Sequence, residues 1–330
     1  MKGYGLLFLV AAAILLLLPL PAFSKGTAST PPSSPADTAS DITDSSEPLT
    51  QTAVFRVLCG EEVVALTERD FLLRTLALEM SPTVHTEALK AQTVAAYTYY
   101  SRRRAIQNEK PDASLKGADF VTPADSFPTD YTDEALKQRW GDKYDAYRQK
   151  LEGAVDSVTG YTLQRDGALI DACYFAISNG STESAATVWG ADIPYLQAVA
   201  SPGDRLAPDY CSTLTLTPTQ VQTALAAEAA VTLPDDPAAW FGKPTLSAAG
   251  TVDTIPVGGT TLKGTQVRQL LGLRSATFTV DYDKERFTFT VYGYGHGVGM
   301  SQYGADYLAR QGYTYEEILQ YYYQGVTLAK

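Results

Sequence analysis

Five glycines and one of only two histidines fall within the thirteen residues Tyr292-Gly-Tyr-Gly-His-Gly-Val-Gly-Met-Ser-Gln-Tyr-Gly304. Glycine at this density permits positive φ and close backbone approach, which marks a loop whose path is set by the main chain. An alternating stretch precedes it: Ala276-Thr-Phe-Thr-Val280, a turn at Asp283-Lys284, then Arg286-Phe-Thr-Phe-Thr-Val291. A helical run from Ala305 to Arg310 follows. The stretch is therefore a strand-to-helix loop, and the unsatisfied N–H groups at the start of the next helix suit a polar ligand. It is not a dinucleotide loop: G-x-G-x-x-G would need glycine at Val298 counting from Gly293, or at Met300 counting from Gly295.

The remainder of the chain restricts the alternatives further. A 45% hydrophobic, 19% charged composition over 330 residues suits a globular core. A net charge of -11 argues against nucleic acid, whose phosphates need clustered Lys and Arg. The basic run Arg102-Arg-Arg104 reads instead as favourable charge closing a helix. The cysteines Cys59, Cys173 and Cys211 form no C-x-x-C pair, and His85 and His296 lie far apart, so no closed zinc site is expected. Their odd number leaves at least one thiol free or intermolecular, and the sequence leaves a Cys173–Cys211 disulfide open.

Read in order, residues 3–23 are uncharged and mostly apolar, long enough to span a bilayer. Ala22-Phe-Ser24 has the spacing of a signal-peptidase site, so a cleaved export signal competes with a retained anchor; either way the rest is exported. Residues 25–53 are rich in Ser, Thr, Pro, Ala and Asp, and bury too little to offset ordering entropy, which predicts a flexible tether. From residue 54 to residue 330 the pattern predicts one α+β domain of β-hairpins and packed helices. A hairpin is expected at Val54-Phe-Arg-Val-Leu58 and Val63-Val-Ala-Leu66. Two helices follow: Glu68 to Met80 capped by Thr67, and Thr86 to Asn108, whose Ala88, Ala91, Ala95 and Ala96 permit close packing. Asp112 to Tyr131 reads as a loop, with helices from Thr132 to Trp140 and from Gly141 to Thr159. Asp166-Gly167 signals a hairpin between Tyr161–Arg165 and Ala168–Phe175. Leu214 to Val231 reads as a helix, Val252–Val257 and Thr260–Lys263 as strands, and Thr265 to Leu271 as a helix.

Three blocks, taken together, resemble the stage II sporulation protein D family and its LytB-type relatives. They are the glycine stretch itself; Ala77-Leu-Glu-Met80 with Glu87-Ala-Leu-Lys-Ala-Gln-Thr-Val-Ala-Ala96; and Ile177-Ser-Asn-Gly-Ser-Thr-Glu-Ser184, continuing through Val188-Trp-Gly190 and Pro194-Tyr-Leu196 to Ser201-Pro-Gly-Asp204. Family members are bacterial cell-wall proteins, typically held by one N-terminal membrane segment. The resemblance implies lytic transglycosylation of peptidoglycan glycan strands already stripped of stem peptides, with an amidase of the stage II sporulation protein P type acting first during engulfment. The products would end in 1,6-anhydro-N-acetylmuramic acid. It also implies that Glu79 is catalytic. Some clostridial-type members carry His and Cys residues that resemble a metal site; the corresponding Asp125-Ser-Phe-Pro-Thr-Asp-Tyr131 has neither, so no metal and no other cofactor is expected.

The residues themselves support this chemistry. Glu79 lies between Leu78 and Met80 at the end of an apolar helix. An ordinary Glu, with a pKa of ~4.3, is ionised at neutral pH, whereas protonating a glycosidic oxygen wants a value of about 6 to 7, which apolar walls supply. A solvated helix-end glutamate is the bland alternative. Lys90 and Gln92 fall in the second block, where Lys90 would support Glu79 or bind glycan, against the alternative of a surface charge. Ser178, Asn179, Ser181 and Thr182 offer short hydrogen-bonding groups to sugar hydroxyls and acetamides, or else make local turn bonds. His296, Ser301 and Gln302 would complete a cleft, with His296 either binding ligand or holding the loop. A Ser/His hydrolase is the competing reading and is disfavoured, because no G-x-S-x-G elbow exists and Ser301 has no orienting acid recognisable in the sequence. Tyr321-Tyr-Tyr323 reads as helix-borne core, with stacking on sugars as the alternative. Two other classes stay open: a non-catalytic wall-binding enhancer of an amidase, and a secreted carbohydrate-binding module.

Overall fold

The computed structural model describes residues 54–122, 132–228 and 230–330. The expected membrane segment at 3–23, the tether at 25–53 and the metal-site counterpart Asp125–Tyr131 lie outside the described residues. The architecture is mixed α+β, built from small sheets and packed helices.

The hairpin forms as its alternation predicts. β1 (Val54–Cys59) pairs antiparallel with β2 (Glu62–Thr67), Val57 opposite Val64. Thr67 then caps α1 (Glu68–Glu79), its hydroxyl accepting from the Asp70 N–H. Met80 turns extended, which ends the helix just ahead of Ser81-Pro82, a pair that disfavours continued α conformation. His85 caps α2 (Thr86–Glu109), its Nδ1 accepting from the Glu87 N–H. The alanine face is fully buried, and α2 becomes the central helix on which others stack. The stretch read as loop contains β3 (Phe120–Thr122), which lies parallel to β1. Three residues are too few for a visible period, and pairing to β1 decides their state.

After α3 (Asp133–Trp140) and α4 (Tyr144–Val158), the Asp-Gly turn joins β4 (Thr162–Arg165) to β5 (Ala168–Leu169), with both turn residues at positive φ. The second arm is shorter than expected. β6 (Tyr174–Phe175) leaves that hairpin, and α5 (Ala185–Trp189) follows it. A second correction comes next: the expected helix from Leu214 is instead β7 (Cys211–Leu216) followed by α6 (Pro218–Leu225). Leu214 and Leu216 alternate with threonines at period two, and Thr217-Pro218 starts the helix with a capping box to Gln220. Then come β8 (Thr245–Leu246), β9 (Val252–Val257), β10 (Thr260–Lys263), α7 (Gly264–Leu271), β11 (Phe278–Tyr282) and β12 (Phe287–Tyr292). The chain closes with β13 (Met300–Ser301), α8 (Gln302–Arg310), α9 (Tyr315–Tyr322) and β14 (Thr327–Ala329), which pairs back onto β4.

Among the described residues three apolar clusters form, the smallest being Ala176, Ile177, Ala207 and Tyr294 at the glycine loop. The first gathers residues of α1, α2, α4, α8 and α9 with Phe55 and Val57, and includes the fully buried Tyr322 and Tyr323. The second gathers the sheet β11-β12-β7, β9 and α7 around Trp240 and Phe287, whose rings stack at 5.3 Å. The glycine loop is the crossing from β12 in the second cluster to α8 in the first. Its backbone is zipped to the Ser-rich segment: Tyr294 N–H to Ile177 O at 2.7 Å, Glu183 N–H to Gly297 O at 2.7 Å and Met300 N–H to Cys173 O at 3.1 Å. Gly299, at φ 80°, shows why no side chain is possible there, since a Cβ would overlap the Cys173 carbonyl oxygen. Cys59, Cys173 and Cys211 are all free thiols.

Candidate functional site

Glu79 is the last residue of α1 and is only 8% exposed. Burial pushes its carboxyl up to about 7, while a hydrogen bond from Gln302 works in the opposite direction. That bond runs from Gln302 Nε2 to Glu79 Oε2 at 3.0 Å and joins residues 223 positions apart. Gln302 is itself 5% exposed and opens α8 directly after the glycine loop. Electrostatically, Glu79 acts on Tyr100, Tyr174 and Tyr294, and the hydroxyls of Tyr100 and Tyr174 share a hydrogen bond. The carboxyl is therefore hydrogen-bonded to one amide and coupled electrostatically to these tyrosines, with no cation contributing to its shift.

His296 is tied down at both nitrogens. Its Nδ1 accepts from the Val298 N–H at 3.1 Å, so the proton belongs on Nε2, which donates to the Tyr174 carbonyl at 3.2 Å. Phe175 and Trp189 flank the ring at 5.6 and 5.4 Å. Burial, then the nearby Arg268, pushes its pKa well below the ordinary histidine value. A neutral imidazole with both nitrogens bonded to backbone groups ties the loop to β6.

The short polar side chains make their bonds within the protein. Ser178 donates its N–H at 2.9 Å, and also its hydroxyl, to Asp204 Oδ2, and Ser301 Oγ donates to Asp204 Oδ1 at 2.9 Å. Asn179 Nδ2 reaches Ala249 O and Thr277 Oγ1. Ser181 Oγ reaches Val199 O, and Thr182 Oγ1 accepts from the Val199 N–H. Lys90 pairs with Glu87 at 2.7 Å and lies over the Tyr315 ring. Gln92 is 1% exposed, yet neither its Oε1 nor its Nε2 has a partner, leaving a buried amide with open bonding capacity.

Of the residues singled out in the sequence, the fold thus joins Glu79 directly to Gln302, while His296 bonds the backbone of Tyr174. Ser178 and Ser301 meet on Asp204, and Lys90 turns to Glu87. The sequence reading missed the coupling of Tyr100, Tyr174 and Tyr294 to the carboxyl, and it missed Asp204. Asp204 lay in the quoted Ser201-Pro-Gly-Asp204 block, and its burial beside three serines is what sequence order hides. A cavity of about 600 Å³ opens in the second cluster, lined by Phe241, Phe278, Tyr282 and Tyr292 among others. Glu79 does not line it, so chemistry and not volume selects the site.

The fold is a mixed α+β architecture in which the buried, protonatable carboxyl of Glu79 is hydrogen-bonded by a residue from a remote loop. A family model described as stage II sporulation protein matches residues 61–164. The chain is 34% identical over 274 residues to stage II sporulation protein D of Bacillus subtilis, covering 82% of this chain and 77% of that protein. It is also 34% identical over 262 residues to stage II sporulation protein D of Bacillus amyloliquefaciens, covering 79% and 74%. To the amidase enhancer of Bacillus subtilis it is 28% identical over 302 residues, covering 76% of this chain and 39% of the enhancer. This chain belongs to the stage II sporulation protein D family.

Proposed function

We propose that the chain is a lytic transglycosylase that cuts peptidoglycan glycan strands with Glu79 as its single acid and base. The observation that carries this reading is a carboxyl whose pKa, about 7, leaves it roughly half protonated at neutral pH. The Gln302 amide donates to Oε2, so in the acid form the transferable proton sits on Oε1. That proton passes to the glycosidic oxygen as its bond to C1 breaks. The resulting carboxylate then takes the proton of the same sugar's 6-hydroxyl as that oxygen bonds to C1. Glu79 ends protonated, no water is consumed, and the product carries a 1,6-anhydro bridge. One group suffices because the internal hydroxyl replaces the water that paired-carboxylate hydrolases must activate.

In the same reading, residues 3–23 hold the chain in the membrane and residues 25–53 give it reach into the wall. An amidase of the stage II sporulation protein P type supplies the peptide-stripped strands during engulfment. A second reading follows from the similarity to an amidase enhancer: the chain would bind wall and stimulate an amidase without cutting glycan. The test incubates the full chain, purified in a mild detergent, and its Glu79→Gln variant with amidase-stripped strands, and reads products by mass spectrometry. Anhydro-ended sugars from the parent alone support the transglycosylase. Strand binding by both proteins with cleavage by neither favours the enhancer.

A further inference from the structure

The pair of Glu79 and Gln302 is not self-supporting, because Gln302 reaches across from a loop that belongs to another part of the chain. Its backbone position is set by Ser301, which is both the end of β13 and the N-cap of α8: Ser301 Oγ accepts from the Gly304 N–H at 3.2 Å. A hydroxyl has one proton, and here it goes to Asp204 Oδ1 at 2.9 Å, which leaves the oxygen's lone pairs free for the cap. The second carboxylate oxygen of Asp204 takes the Ser178 N–H and hydroxyl, and Ser201 also bonds to the carboxylate. Ser201 in turn meets the Tyr322 hydroxyl at 2.8 Å. Asp204 is 0% exposed and its bonding partners are hydroxyls and an amide; none is a cation. Gly304 is shaped to this cluster, since a Cβ there would overlap Tyr322 Oη and Ser201 Oγ and crowd Asp204 Oδ1.

We infer that Asp204 is a positioning residue for Glu79: through Ser301 it fixes the first turn of α8, and so holds the Gln302 amide against the Glu79 carboxyl. An aspartate that merely glued loops together would not need to sit one bond from the residue preceding Gln302. A buried carboxylate without a cation partner is a costly adhesive, which neutral groups would replace at lower cost. The direction of its influence follows from the donor it positions. The Gln302 bond favours ionised Glu79, so loosening it raises the pH at which Glu79 releases its proton. The inference rests on Glu79 being the proton carrier proposed above, but its test does not require catalysis.

The experiment follows the Glu79 side-chain carboxyl by ¹³C NMR through a pH titration of the full chain, with the resonance assigned by its loss in Glu79→Gln. Gln302→Leu, which removes the donor itself, should move the titration upward by about one pH unit. Asp204→Asn should move it in the same direction by less, and should add nothing when combined with Gln302→Leu. If strands are cut, Asp204→Asn should lower kcat about tenfold to a hundredfold with little change in KM. Should Asp204→Asn fail to fold, Ser301→Ala breaks the same link and should give the same upward movement. A Glu79 titration left at its parent position by Asp204→Asn, or by Ser301→Ala, overturns the inference, as do shifts that simply add in the double variant. A parent that cuts nothing while the coupling is present sinks the transglycosylase and leaves Asp204 its positioning role.

Discussion

Replacing Glu79 with glutamine should remove cleavage and at the same time stabilise the fold at alkaline pH. The carboxyl has an ordinary value of 4.5 and is pushed up to about 7 by burial. Between those two values the folded chain holds a proton that the unfolded chain has released. Stability therefore falls as pH rises through the window, and the full penalty is present above pH 7. The gap corresponds to about 3 kcal/mol, of which about 2.5 kcal/mol develops between pH 5 and pH 8. Glutamine has no such proton, and its carbonyl can still accept from Gln302. Asp204, whose carboxyl burial lifts to about 6, contributes a loss of the same sign, but it is present in both proteins and cancels in the difference. Urea unfolding at fixed pH, followed by far-ultraviolet circular dichroism, measures this difference. The variant's advantage over the parent should grow by about 2 to 3 kcal/mol from pH 5 to pH 8. An advantage that stays level across that range would mean that Glu79 titrates normally, and the case for it as a neutral-pH acid would collapse.

Three further expectations can be checked independently. His296 should keep its Nε2–H tautomer from pH 5 to pH 8, because Val298 and Tyr174 occupy its two nitrogens; ¹⁵N NMR showing titration near the ordinary histidine value would refute its role as a loop anchor. Gly299→Ala should prevent a stable fold, since the left-handed backbone costs about 1–3 kcal/mol and a Cβ would meet the Cys173 carbonyl. Gly312→Ala, at φ 95° with open space around it, should cost only the backbone share; equal losses in melting temperature for the two would remove the steric argument. Glu87→Ala should destabilise more than Lys90→Ala, because Glu87 also accepts the Tyr315 N–H at 2.8 Å at the start of α9. Chemical denaturation should place the lysine variant within about 1 kcal/mol of the parent and the glutamate variant below it.

The elements with local signatures could be read directly from the chain. Thr67 before an apolar run, Asp166-Gly167 between two strands and the alternating Phe and Thr of β12 each carry their own instructions. What escaped were states decided by a distant partner. β3 is a strand because β1 lies beside it, and β7 is a strand because β12 gives Leu214 a partner in Phe289. The serines show the same limit in the site: a hydroxyl in a loop looks available to a sugar until a buried aspartate claims it. Glu79 was singled out by the family resemblance; its apolar neighbours Leu78 and Met80 were compatible with burial but left a solvated helix-end glutamate open, and the burial itself depends on packing from elsewhere in the chain.

The glycine density of the loop now has a physical cause that neither phosphate binding nor flexibility supplies. Gly293, Gly295, Gly297 and Gly299 all take positive φ, alternating with residues that pack or pair. At Gly293, Gly295 and Gly299 the backbone presses against Ile177, Phe175 and Cys173 too closely for a Cβ, while Gly297 is required by its positive φ alone. A loop held that closely is rigid, and it delivers Ser301 and Gln302 at a fixed place. Glu79 arrives there on a separate helix whose end is set by Met80 and Ser81-Pro82. The acid and the donor that tunes it thus come from independent, stiff elements, and their 3.0 Å contact is fixed by packing on both sides. In the proposed mechanism one carboxyl has no second acid to compensate for misplacement, so the rigidity of the loop that positions the Gln302 amide bears directly on it.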